Sequence, residues 1–193
     1  MLLMLTRAFK RINWRLVVAF PIIAGIVHLI ATLIAMNDTG NTAYARLSRA
    51  LPANTMTVAQ PVAPGHQPLP FLSSDARYAF CPFETGHGPL KVRALLPDTG
   101  WTIGVYQPDG TSAYFAAAQP GRSTTVVLTL IPSDARFMGA TPQALGKPDS
   151  GLPQLTVAAR EGVVVIRAPD NGDAYRRETE SVLAQASCTP SAS

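Results

Sequence analysis

Three histidines, two cysteines and a scatter of carboxylates are the residues with which this chain could do chemistry. A catalytic zinc needs three or four ligands that converge, commonly with two of them spaced on one element. Beyond Met36 the only nitrogen and sulfur candidates are His66, His87, Cys81 and Cys188, and no CxxC, HxH or HExxH spacing joins them. His66 falls in a proline-rich stretch and His87 in the turn Thr85-Gly86-His87-Gly88, so solvent is the expected surrounding of both. Acyl-transfer chemistry would need a GxSxG elbow or a cysteine with a histidine at hand, and neither pattern occurs. Cys81, between Phe80 and Pro82, reads as a buried or bridged sulfur rather than an activated thiolate. Phosphate binding would need a glycine-rich loop between a strand and a helix, and there is none. Asp75, Glu84, Asp98 and Asp109 all occupy turns or strand ends, where capping and solvation account for them; a hydrolytic pair would show itself only in space. No cofactor or metal is called for, and the balance is against an enzyme.

The other constellation is aromatic. Tyr78, Phe80, Phe83, Trp101, Tyr106, Tyr114 and Phe115 fall on three predicted strands, which first suggests a shared core. Were one face open, Tyr78, Trp101, Tyr106 and Tyr114, with Arg77 and Arg93 (or Lys91), would make a binding surface for a partner or a flat ligand.

These residues hang from one dominant element. Leu16 to Met36 is a 21-residue stretch without a formal charge, which as a helix spans about 32 Å, enough to cross a hydrocarbon core of ~30 Å. Arg7, Lys10, Arg11 and Arg15 precede it, and Asn37, Asp38 and Thr39 follow. That asymmetry predicts a cytoplasmic N-terminus and an exported domain, with Trp14 at the inner interface. Ala43-Tyr44-Ala45 fits a signal-peptidase site, but cleavable apolar cores run to about 15 residues, so a retained anchor is favoured. His28 is the one titratable group in the stretch. A proton or metal role for it would need a polar partner, and only Thr32 is close.

Charge bears on partners too. Four of the 16 basic residues precede the apolar stretch, and the remaining 12 are balanced by 12 acidic ones. The basicity therefore belongs to the anchor, and the domain carries no nucleic-acid footprint. Arginine outnumbers lysine 13 to 3, as GC-rich bacterial coding tends to give. The expected location is thus the bacterial inner membrane, with the domain in the periplasm. Cys81 and Cys188 would both lie on that oxidising side and could close a loop of 107 residues.

The chain divides into a basic tail (1–15), the spanning helix (16–36), a short helix and proline-rich connector (37–72), a β-rich domain (73–188) and a disordered tail (189–193). Tyr44, Leu47 and Leu51 have helical spacing that ends at Pro52. Pro52, Pro61, Pro64, Pro68 and Pro70 make an extended connector, or a strap over the domain. Five strands follow, at 77–83, 90–95, 101–106, 112–117 and 124–131, spaced as in an antiparallel meander. Residues 133–145 could hold a helical turn or two and 146–153 a loop. Leu155–Ala159 and Val163–Ala168 read as a hairpin about Glu161-Gly162. A helix from Ala174 to about Ala186, with Tyr175, Val182, Leu183 and Ala186 on one face, should pack across the sheet. The fold class is mainly β: a transmembrane helix, then an antiparallel β-sandwich or jelly-roll-like domain with a C-terminal helix.

Residues 74–115 carry a run of features: Asp75 and Tyr78 entering a strand, Gly88-Pro89, the alternating strand Leu90–Ala94, Pro97-Asp98, the aromatic strand Trp101–Tyr106, and Asp109. In these it resembles the domain-of-unknown-function family 1254, whose small members include singly membrane-anchored bacterial proteins. The resemblance implies a β-rich, jelly-roll-like fold and an association with a sister domain, family 1214. That sister domain would here reside on a separate partner chain. The function expected is a non-enzymatic interaction or assembly module of the cell envelope. The alternative is a small-ligand-binding or enzymatic domain with its site inside the β scaffold.

Overall fold

The computed structural model describes residues 14–36, 42–63, 65, 67–132 and 154–191. It falls into two units, divided after Thr39. In the first, helix α1 (Trp14–Met36) runs unbroken through Pro21. Its side chains are exposed, and it is long and apolar enough to cross a membrane, a description that a signal sequence also meets. Thr32 Oγ1 donates to the His28 carbonyl at 2.8 Å, closing on its own helix.

The second unit is a β-sandwich. One sheet has five strands in the order β1-β2-β8-β4-β5, the other four in the order β7-β6-β3-β9. The strands are β1 (Thr57–Val58), β2 (Ala76–Glu84), β3 (Leu90–Leu96), β4 (Thr102–Tyr106), β5 (Ser112–Ala117), β6 (Thr124–Ile131), β7 (Gln154–Ala158), β8 (Glu161–Pro169) and β9 (Ser187–Pro190). The alternation read in the sequence from Leu90 is real. Leu90, Val92, Ala94 and Leu96 are buried, and the residues between them face outward.

Strand β2 has no polar face because both of its sides are covered. Ala79, Cys81 and Phe83 point between the sheets, while Ala76, Tyr78 and Phe80 point outward. That outer face is roofed by Leu47 of helix α2 (Ala43–Ala50) and by Leu51, Ala59, Val62, Leu69 and Leu72. The proline-rich stretch is therefore a strap on the domain, and its residues 57–58 pair with β2 at Ala79 and Phe80. Helix α2 begins where Thr42 caps it, accepting from the Ala45 N–H at 3.1 Å, and it ends before Pro52.

Several expectations need correction. The strands do not form a meander, since successive strands mostly change sheets; β4–β5 is a tight hairpin, and β1 pairs with β2 across the long strap. Nor do β7 and β8 form one. The chain crosses from one sheet to the other at Ala159-Arg160, and β7 instead lies parallel to β6. Thr85, fully buried, pins that corner: its hydroxyl is 3.0 Å from the Ala159 carbonyl and 2.9 Å from that of Arg160. Two apolar runs around a Gly have the same pattern whether they pair with each other or with other strands, so periodicity could not separate the cases.

Helix α3 (Asp173–Ala184) packs on the sandwich through Leu183, which enters the inter-sheet core beside Val182 and the buried Thr179, but Tyr175, expected on the same face, is exposed. Thr189 and Pro190, expected to be disordered, belong to β9, which pairs with Leu90–Arg93 of β3. Cys188 in that strand is bonded to Cys81, with Cα atoms 6.5 Å apart, so the bridge ties β2 of one sheet to β9 of the other. The helical turn and loop read at 133–153 lie outside the described residues, as do residues 1–13, His66 and residues 192–193.

Candidate functional site

Val92, Ile103, Val105, Leu128, Val164 and Cys81 fill the space between the sheets with no measurable exposure. A cavity lies on the outer face of the five-stranded sheet, where α2 and the strap leave part of it uncovered. Its volume is about 320 Å³, at the low end of the ~300–1,000 Å³ of small-molecule sites. Tyr44 and Leu47 of α2, Leu69 of the strap, Tyr106 of β4, and Val163 and Val165 of β8 make its walls, and the turn Gln107–Gly110 makes its lip.

Several polar groups there are already paired. The Tyr44 hydroxyl donates to Glu161 Oε2 at 3.1 Å. Burial, then the bond to Glu161 and the negative charge of Glu161 and Glu84, push its pKa up to about 12. In the lip, Asp109 Oδ1 accepts the Thr111 N–H at 2.9 Å, and the Gly110 N–H donates to the Gln107 carbonyl at 2.9 Å. The backbone and hydroxyl donors of Thr111 hold the Asp109 carboxyl below its usual range. Thr42 spends its hydroxyl on the helix cap. What remains for a ligand is mainly apolar wall, with the side chains of Tyr106 and Gln107 at its edge.

The six residues read as a binding surface are scattered. Tyr78 stacks on Phe80 beneath the strap, ring centroids 5.9 Å apart, and its hydroxyl accepts the Ser73 N–H at 3.2 Å. Trp101 is buried at the inter-sheet core, and Tyr114 packs half-buried against it, burial raising its pKa. Arg93 is exposed on the other sheet, opposite Val127 and Ser187. Arg77 is 3% exposed and ion-paired with Glu180 of α3; its Nε and Nη1 meet no acceptor among the described residues. Of the six, Tyr106 alone reaches the cavity.

The four singled-out carboxylates are exposed and apart. Asp98 Oδ1 accepts from the Thr99 and Gly121 N–H groups, at 2.7 and 2.8 Å, which lowers its pKa and ties two turns together. Asp75 accepts from Ser73 and faces Arg167 at 3.6 Å; the Ser73 bond, then the Arg167 charge, lower its pKa. Among the described residues no three of His, Cys, Asp or Glu gather where a metal could bind. The cavity residues Tyr44, Leu69, Val163 and Val165 were not singled out in the sequence. They come from three separate segments, α2, the strap and β8, which only the fold brings together.

The outer edges of the sheets are the other notable surface. Strand β5 ends the five-stranded sheet. Its sequence, Ser-Ala-Tyr-Phe-Ala-Ala, has no charge and no proline, and Phe115 is 58% exposed. The Ala118 N–H donates to Trp101 O at 2.9 Å. By the antiparallel alternation, Phe115 and Ala117 then turn their N–H and C=O groups outward.

No protein-family model matches the chain, and no curated protein matches it in sequence. Among solved structures it is similar to the VPA0106 protein of Vibrio parahaemolyticus, at 11% identity and a TM-score of 0.53 over 77% of this chain and 34% of that one. A putative uncharacterized protein from Burkholderia cenocepacia matches at 10% identity and a TM-score of 0.37, over 63% of this chain and 32% of that one. The chain thus spans about a third of the length of these neighbours, and the first likeness is one of fold.

Proposed function

We propose that this chain is a membrane-anchored module of the bacterial envelope that binds other envelope proteins and performs no reaction of its own. In this reading α1 stays in the inner membrane with the basic N-terminal side in the cytoplasm, and the sandwich works in the periplasm. The apolar helix and the buried Cys81–Cys188 bridge support a place outside the cytoplasm.

The observation that carries the interaction reading is β5. Exposed edges are normally blunted by charge, proline, a short length or a cover. The opposite edges follow that rule, with β1 only two residues long and β9 only four, ending in Pro190. Six uncharged residues with an exposed Phe are instead suited to receive an extended segment of a partner as one more strand. The resemblance to family 1254 supplies one such partner, a chain carrying the sister domain 1214. In the Vibrio neighbour the matched fold is likewise one part of a longer chain.

The test is photo-crosslinking in cells from an unnatural residue at position 115, with copurification of the full chain in mild detergent. A defined envelope partner should crosslink there and copurify, and Ala117→Pro should abolish both, because it removes an outward N–H without touching the β4 ladder. Undiminished recovery with Ala117→Pro, or a chain recovered alone and uncrosslinked, refutes the reading.

A further inference from the structure

The cavity beneath α2 has a chemistry that narrows its occupant. Its volume of about 320 Å³ equals that of roughly ten water-sized groups, about the bulk of one hydrocarbon chain. Several polar atoms around it are already paired: Tyr44 with Glu161, Asp109 with Thr111, Gly110 with Gln107. A peptide backbone placed there would find few hydrogen-bond partners, whereas a hydrocarbon needs none. Among the described lining residues the one charged side chain is Asp109, an acid, and a second acid, Glu161, holds Tyr44. An anionic head at this mouth would meet like charge, and an ammonium head would meet its complement.

The covalent chain adds a constraint of reach. Thr42, in the cavity wall, is joined to Met36 of α1 through residues 37–41. Six links of extended chain span at most about 20 Å. If α1 lies in a bilayer, this wall is therefore tethered within that distance of the helix end, where lipid is the most abundant apolar molecule.

We propose that this cavity holds one acyl chain of an amine-headed phospholipid taken from the membrane that contains α1. The proposal rests on the anchor reading given above. Leu47, Leu69, Val163 and Val165 contact the chain, and Asp109 and Glu161 face the ammonium group.

The full-length protein is reconstituted into vesicles of phosphatidylethanolamine and phosphatidylglycerol. One lipid at a time carries a photoreactive diazirine on an acyl chain, and adducts are mapped by peptide mass spectrometry. Adducts are expected on α1 with either probe. With the phosphatidylethanolamine probe they should also appear on peptides containing Tyr44, Tyr106 and Val165, and those should be lost in Val165→Trp. Ala43→Trp, at an exposed position over the mouth, gives a second block that spares the sheet. Adducts on α1 alone, equal cavity labelling by both probes, or cavity labelling that survives both Trp variants would each overturn the proposal. Absence of adducts on α1 would overturn the anchor reading, and the lipid site with it.

Discussion

Removing the bridge between Cys81 and Cys188 should cost this domain a large part of its stability. The bridge closes a loop of 107 residues, for which the chain-entropy relation gives about 4.8 kcal/mol at 25 °C. A domain of this size loses about 2–4 °C of Tm per kcal/mol. The double variant Cys81→Ala/Cys188→Ala should therefore melt roughly 10–19 °C lower, with a little more from the lost sulfur packing. Urea unfolding of the full chain, followed by the near-UV signal of the buried Trp101, would measure the difference from the midpoint and slope together, the slope rising as the unlinked denatured chain expands. Exchange of the Thr189 amide should accelerate beyond the global change, because β9 has four residues and one partner strand. The sulfurs are buried, with 0% and 1% of the two residues exposed, so a reductant should act on the folded protein only after it opens. A loss below about 1 kcal/mol would refute the loop-closure argument, and immediate reduction under native conditions would refute the burial.

Three further perturbations follow. Gly162→Ala places a methyl group against the Tyr106 carbonyl and 3.0 Å from the Phe83 ring; a loss of about 1–3 kcal/mol is expected in urea, and a neutral result would mean that the β8 start is misplaced. Glu180→Gln strips a buried Arg77 of its counter-charge and should cost roughly 1–3 kcal/mol, the partial exposure of Glu180 keeping it below a fully buried pair. Arg77→Met, which removes two unpaired nitrogens as well, should cost less; the reverse order of urea midpoints would show that the ion pair is net stabilising. Tyr44, at about 12 when folded against 10.0 for the free side chain, keeps its proton more tightly in the native state. Its contribution to stability is complete below pH 10 and is lost as the pH rises toward 12. Tyr44→Phe should remove that alkaline loss and delete the last-ionising tyrosine from an ultraviolet titration, and an unchanged titration would sink the assignment.

Much of the sandwich could be read from the sequence because its strands carry local signals. Pro108-Asp109-Gly110 turns where a turn tripeptide should, and Leu90–Leu96 alternates because one of its faces meets the core. Pairing was not legible. The partner of β2 is β8, and nothing in either strand's period distinguishes that partner from β3 or β7. The aromatic residues shared strands without sharing a face, since Tyr78 and Phe83 are an odd number of residues apart and point to opposite sides of one sheet. The cavity was hidden for the same reason: Tyr44 and Glu161 are separated by 117 residues, a contact that only the completed fold creates.

The place of β8 has a consequence in time. It lies between β2 and β4, so β2 is made about 80 residues before its neighbour exists. At synthesis rates of about 5–20 residues per second that interval is roughly 4–16 s. Throughout it the edge of β2 that β8 will pair stays open, although the cover of Tyr78 and Phe80, Leu47 to Leu72, has already been made. In the envelope reading proposed above, an unfinished chain would cross the membrane with this strand edge still open. Cys188 follows Cys81 by 107 residues, so their oxidation can follow only once both have crossed. Formation of that one bond would serve as a clock for the arrival of the domain, readable by trapping free thiols during a pulse of synthesis.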